Sequence, residues 1–287
     1  MSHRPSQIVP KYVSGEAVRQ GERCTRNQQE FEVLDCSSVY SGRNLMSDTI
    51  WVYWEGAKPD YIVLCCKTIF THNDNVVLLD RSGFDHLYTQ ERHLDIDQLD
   101  LNHKSDFIRA YLLKYYGGLY VDADCIVMKN LNPALEKAKQ FGFTGYREPQ
   151  GYMSCNFLAS IRGGEVISAH YERVCETLRS KRPLEWLDLA SVPMNEVIDI
   201  YPDHSFLLPT DAVMPVAWNE SEKLCARRLD EEHEQSFNHE ALCYMLANNT
   251  IKSREQTQIL SHMSEEQLLR DNYFISFLFR KSLNIGA

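Results

Sequence analysis

The chain has 287 residues, 44% of them hydrophobic and 11% aromatic, enough to bury the core of one domain with appended helices. A formal net charge of −10 excludes a broad nucleic-acid-binding surface, which needs concentrated lysine and arginine. Nine cysteines, an odd number without C-x-x-C spacing, exclude a zinc ribbon or a disulfide scaffold and point to reduced thiols inside a cell.

Residues 1–47 read as a polar N-terminal extension with short candidate elements at Ile8–Val13 and Phe31–Leu34, and its first 20 residues lack the apolar core of a signal peptide. From residue 48 the pattern predicts a strand at 50–54, a helix at 60–72, a strand at 76–79, a short helix at 82–89, a long helix at 103–116 and a strand at 119–122. That alternation calls for a mainly parallel sheet with helices on both faces. Strands at 141–146 and 156–160 follow, separated by the Pro149-Gln150-Gly151 turn, and then a helix up to about residue 179. Met194-Asn195-Glu196 and the proline-punctuated stretch from Pro202 to Pro215 read as loops. Ser264 with Gln267 makes a capping box for one final helix whose apolar stripe is Phe274, Phe277 and Leu278. The longest apolar run, Tyr61–Phe70, is too short to span a bilayer and is interrupted by Lys67.

Chemistry concentrates between His103 and Asp124. Asn102 is the expected N-cap of a helix that buries Phe107, Ile108, Tyr111, Leu112 and Tyr115. Asp106 and Arg109, three apart, share a helical face. Gly117 ends the helix in a left-handed turn, and Leu119-Tyr120-Val121 forms a buried strand running into Asp122-Ala123-Asp124. Alternation along an extended chain sends both carboxylates the same way, at the strand end where ligands gather in open α/β sheets. Two such carboxylates in low dielectric repel, and a divalent cation relieves them. Asp-x-Asp triplets also occur in ordinary solvated turns, and an Asp/Arg pair at this spacing also occurs as a surface ion pair of little worth.

The run from Ser105 to Asp124, S-D-F-I-R-A-Y-L-L-K-Y-Y-G-G-L-Y-V-D-A-D, resembles the signature of the DXD-containing sugar transferases, which span Och-type mannosyltransferases, capsular polysaccharide synthesis proteins and clostridial toxin glucosyltransferases. Asp48 to Gly56 with Lys58-Pro59 is similar to the first strand of the capsular branch, and the tail, Ala241–Asn249 with Phe277–Leu283, to its closing segment. The resemblance covers roughly residues 48–283. It implies a GT-A fold, a Rossmann-like, mainly parallel α/β sheet flanked by helices, with appended C-terminal helices. Residues 48–130 would then be the donor half, and 131–287 the acceptor half with those helices.

The resemblance further implies roles. Trp54 would stack on the nucleobase of a nucleotide-sugar, a UDP-sugar ahead of a GDP-sugar, with Asp106, Arg109, Tyr120 and Asp122 contacting the donor. Asp124 and Asp122 would hold Mn²⁺ or Mg²⁺, with Asn248 or His239 as further ligand candidates, and Asp122, Asp124 and Arg109 would form the catalytic set. Asn249 stands where the family's tail motif has serine, so Asn248-Asn249 also reads as a plain helix boundary, and His239 as a solvated histidine. The implied activity is retaining transfer to a glycan or lipid-linked acceptor in surface polysaccharide synthesis, in the cytoplasm or at the inner membrane face. The basic pairs Arg227-Arg228 and Arg280-Lys281 are candidates for contact with an anionic membrane or a lipid diphosphate. Alternatives are a protein-modifying transferase of the toxin type, a metal-dependent hydrolase, or a non-catalytic nucleotide-sugar binder.

Overall fold

The computed structural model describes residues 11–13, 32–33 and 48–285. In chain order these form β1 (Lys11–Val13), β2 (Glu32–Val33), β3 (Ile50–Tyr53), α1 (Asp60–His72), β4 (Val76–Leu79), α2 (Arg81–Leu87), α3 (Leu101–Tyr115), β5 (Gly118–Val121) and β6 (Cys125–Val127). There follow α4 (Asn132–Phe141), β7 (Phe143–Arg147), β8 (Met153–Ser160), α5 (Glu165–Arg179), α6 (Ser191–Ile200), β9 (Phe206–Leu208) and α7 (Thr210–Val213). The chain closes with α8 (Asp230–Ser236), β10 (Cys243–Met245), α9 (Asn248–Ser253), α10 (Glu265–Arg270) and α11 (Phe274–Leu283).

Eight strands make one sheet in the order β2-β1-β4-β3-β5-β8-β7-β9. Only the β5–β8 and β8–β7 pairs are antiparallel, so the expected mainly parallel α/β architecture is what forms. Side-chain alternation divides the core. Ile50, Val52, Leu119 and Val121 join α1, α4 and the C-terminal helices on one face, while Trp51, Tyr53 and Tyr120 join α2, α3, α5 and α6 on the other. A separate antiparallel ribbon pairs β6 with β10.

β1 and β2 extend the sheet beyond β4, so the N-terminal segment contributes strands; the remainder of Ile8–Val13 and Phe31–Leu34 lies outside the described residues. The N-cap of α3 is Asp100, whose carboxylate accepts the His103 N–H at 2.9 Å, two residues before the expected Asn102. Met194-Asn195-Glu196 is helical, inside α6; Pro193 fits because it sits in the first turn, where an N–H has no intrahelical partner. The Pro202–Pro215 stretch contributes β9, parallel to β7. The capping box at Ser264 and Gln267 forms, yet the expected single final helix is two helices. Arg280 bonds the carbonyls of Leu269 and Asp271 at 3.0 and 2.8 Å, satisfying groups that the break would orphan. Three of the four residues in the basic pairs have partners within the chain: Arg227 lies 4.4 Å over the Tyr273 ring and 3.2 Å from Asp271, Arg280 pairs with Asp230 at 2.6 Å, and Lys281 with Glu234 at 2.7 Å.

The junction of α3 and β5 governs where the site lies. Gly117 and Gly118 both take positive φ, 72° and 98°. A Cβ on Gly118 would stand 2.3 Å from the Thr49 carbonyl oxygen, because Leu119 N–H must reach that same oxygen at 2.9 Å to seat β5 on β3. The Trp51 indole N–H caps the Gly117 carbonyl at 2.8 Å. Gly118→Ala should therefore cost about 3 kcal/mol or more, read as a lowered urea midpoint with an unchanged slope; a midpoint within error of wild type would refute this account of the junction.

Candidate active site

β4 lies on one side of β3 and β5 on the other, so the strand order reverses at β3 and opens a crevice at the carboxyl ends of β3 and β5. Trp54 and Asp122 follow directly on those ends. α3 runs back toward the start of β5, which brings its N-terminal half, with Lys104, Ser105, Asp106 and Arg109, to the same edge.

There Arg109 bridges two carboxylates, Nη1 to Asp106 at 2.9 Å and Nη2 to Asp122 at 2.9 Å. Its guanidinium lies 5.1 Å over the Tyr120 ring, and the Tyr120 hydroxyl meets Ser105 Oγ at 3.0 Å. Arg109 and Asp106 are 6% and 7% exposed, so this is a buried bridge and not the surface pair that spacing alone also allows. Tyr120 is fully buried beneath Arg109; it supports the guanidinium and presents no face to a ligand.

Asp124, 7% exposed, takes a different environment. Its carboxylate accepts the backbone N–H of Asn248 at 2.5 Å and forms no ion pair among the described residues. The antiparallel β6–β10 ribbon makes this meeting, with Leu246 N–H bonding the Asp124 carbonyl at 3.0 Å, so a segment over a hundred residues away closes onto the Asp-x-Asp turn. The Asn248 side-chain oxygen accepts from the Tyr61 hydroxyl. His239 is not brought to the site: it lies beyond the far end of β10, exposed, 3.4 Å from Glu234, with its carbonyl bonded by Lys129. Trp54 is half-buried at the edge, its indole N–H 3.4 Å from the Ala57 carbonyl and the Lys252 ammonium 5.5 Å from its ring centre.

Three carboxylates thus share this edge with one guanidinium, which pairs with two of them. Burial pushes Asp122 up to about 7, against the pull of Arg109 and helped by Asp124 and Asp106. Burial likewise raises Asp124, against the Asn248 N–H, and Asp106, against Arg109. Burial alone would lower Arg109, but Asp122 and Asp106 outweigh it and hold it charged. The surplus is negative and the donors are hard oxygens, a set that fits Mg²⁺ or Mn²⁺ through Asp124, Asp122 and the Asn248 amide. Among the described residues no group of three or more His, Cys, Asp or Glu is arranged to hold a metal ion.

Residues 23–184, more than half of the chain, match the family described as capsular polysaccharide synthesis protein, and the chain belongs to that family. The resemblance read from the Asp-x-Asp region is borne out, and the match reaches back into residues 23–47, which the sequence reading set outside it. Among curated proteins none matches significantly. Solved structures similar to this chain include the PaToxG glycosyltransferase, 19% identical over 55% of this chain and 70% of that one, with a TM-score of 0.42. Another is the glycosyltransferase GlyE of Streptococcus pneumoniae TIGR4, 14% identical over 82% of this chain and 64% of that one, with a TM-score of 0.43. The bifunctional glycosyltransferase WbbM is 11% identical over 58% of this chain and 39% of that one, with a TM-score of 0.39.

Asp124→Asn keeps an oxygen for the Asn248 N–H and removes a buried charge that has no counter-ion, so it should raise the melting temperature of the unliganded protein by about 2–4 °C at pH 8. A carboxyl raised in the folded state binds protons that the unfolded chain has released, so wild-type stability falls as pH climbs from the unfolded range near ~4 through the folded value. The advantage of the variant should shrink toward pH 5. Scanning fluorimetry that shows equal melting at pH 8, or a gain independent of pH, would refute this reading of Asp124.

Proposed function

We propose that this protein is a metal-dependent, retaining glycosyltransferase that moves a sugar from a nucleotide-sugar, a UDP-sugar ahead of a GDP-sugar, onto a glycan or lipid-linked acceptor in surface polysaccharide synthesis, in the cytoplasm or at the inner face of the membrane. The observation that carries this is Asp124, a buried carboxylate without a counter-ion beside the half-exposed Trp54 at the switch point of the sheet. Membership in the capsular polysaccharide synthesis family supports sugar chemistry as its use.

Each residue has a physical task in this reading. Trp54 offers a flat face to a nucleobase. Asp122, oriented by Arg109, accepts from ribose or sugar hydroxyls, and Asp106 holds Arg109 from behind. Asp124, Asp122 and the Asn248 amide hold the cation, which when bound acts as a Lewis acid for the charge that develops on the departing diphosphate. The retaining outcome rests on the resemblance to sugar transferases, and no residue here is assigned as nucleophile or base. Among the described residues no helix is long and apolar enough to cross a membrane.

A thermal-shift panel of UDP, GDP and their common sugar esters, each with and without Mn²⁺, tests the proposal. One nucleotide series should stabilise the wild type by about 2–3 kcal/mol near 100 times its dissociation constant, only with metal, and Asp124→Asn should abolish the effect. No stabilisation of wild type by any member, or an effect that persists undiminished in Asp124→Asn, would overturn it.

A further inference from the structure

The Arg109 guanidinium is engaged by two carboxylates before any donor binds. Both of its terminal nitrogens are taken, by Asp106 and Asp122 at 2.9 Å each, and it is 6% exposed. Releasing it would leave two buried carboxylates without their cation, which is strongly unfavourable. Lys104, the other cation on this part of α3, is buried and paired with Glu55 at 3.2 Å. As the sugar leaves, the diphosphate takes on a further negative charge that one divalent cation does not neutralise, in a site that already has an excess of carboxylate, so a further positive group has to meet it.

Lys252 is placed for that task. It lies on α9, one helical turn beyond Asn248, whose N–H holds Asp124, so the Asp124 contact and the ammonium arise from the same short segment. The segment is tied down at three points: Asn248 to Asp124 by its N–H, Asn248 to Tyr61 by its amide, and Asn249 to Asn102 at the start of α3 at 3.1 Å. Lys252 itself is exposed and forms no ion pair among the described residues. Its ammonium rests 5.5 Å from the centre of the Trp54 ring.

Resting on the nucleotide-sugar reading above, we infer that Lys252 is the diphosphate-binding cation of this site, parked on the Trp54 face when no donor is bound and displaced from it onto the phosphates by the incoming base. The exchange is favourable in both parts: a base replaces an ammonium on the indole face, and a weak cation–π contact becomes a charge-assisted contact with phosphate oxygen. Lysine suits a group that must move between two partners, because its point charge on a flexible stem requires no fixed fork geometry.

The test compares wild type, Lys252→Ala and Lys252→Arg for binding of UDP, GDP, uridine and guanosine by titration calorimetry with Mn²⁺ present. Lys252→Ala should weaken the diphosphate that wild type prefers by about 10- to 100-fold and leave its nucleoside unchanged or tighter, since the indole face is freed. Lys252→Arg should recover most of the loss, and the diphosphate affinity of Lys252→Ala should depend less on salt. Equal diphosphate affinity in wild type and Lys252→Ala overturns the inference alone. So does an equal loss for nucleoside and diphosphate, which marks a residue that only holds α9 in place. If wild type binds neither diphosphate, the nucleotide-sugar reading itself fails, and this one with it.

Discussion

The contact on which the site depends is the double ion pair of Arg109 with Asp106 and Asp122. A buried guanidinium carries a large desolvation cost that only well-placed carboxylates offset, and here they occupy both of its terminal nitrogens at 2.9 Å. One acid comes from the helix that carries the arginine and the other from the end of the neighbouring strand, so the pair also locks α3 to β5. The Tyr120 ring beneath the guanidinium, tied to Ser105, limits where it can move. Asp122 is thereby aimed, and Asp124, one pleat further on, is left as the carboxylate for something else to neutralise.

Everything nearby serves that placement. The Gly117-Gly118 junction lets α3 turn back and lets β5 start hard against the Thr49 carbonyl, which sets the register that delivers Asp122 to the edge. Strand alternation sends Leu119 and Val121 to one core and Tyr120 to the other, so β5 is held from both sides. The β6–β10 ribbon then brings the segment containing Asn248 and Lys252 across from the opposite end of the chain. Rigid strand ends thus supply the carboxylates, and a short tethered segment supplies the amide and the ammonium.

Much of this was legible because its causes are local. The helix at 60–72 and the strand at 76–79 are found where periodicity puts them, and Asp106 and Arg109 meet because i and i+3 share a helical face. Contacts made by backbone groups or by distant segments were not legible. Nothing in the residues around Asn248 says that its backbone N–H would bond Asp124, and Lys252 carries no motif at all. His239 was attractive for its metal-binding ring, but the ribbon register puts it at the end away from Asp124, a matter of pairing that the side chain does not encode. Tyr120, a donor contact only as the resemblance implies it, shares a sheet face with Asp122 but sits one pleat deeper, buried beneath Arg109. The break between α10 and α11 depends on Arg280 reaching back nine and eleven residues to free carbonyls, which no helical pattern announces.

The uncompensated charge has a consequence for how stability and ligand binding are shared. A fold that gathers three carboxylates at one edge with a single guanidinium gives up stability in its empty state, because burial opposes the ionised form of each acid. Any ligand that brings positive charge to Asp124 recovers that loss on binding, so part of its affinity comes from relieving strain already present in the protein and not from new contacts alone. An anionic ligand does the reverse unless a cation accompanies it. On charge balance the site therefore favours a cation, or an anion that a cation accompanies, over an anion by itself, before any question of shape arises.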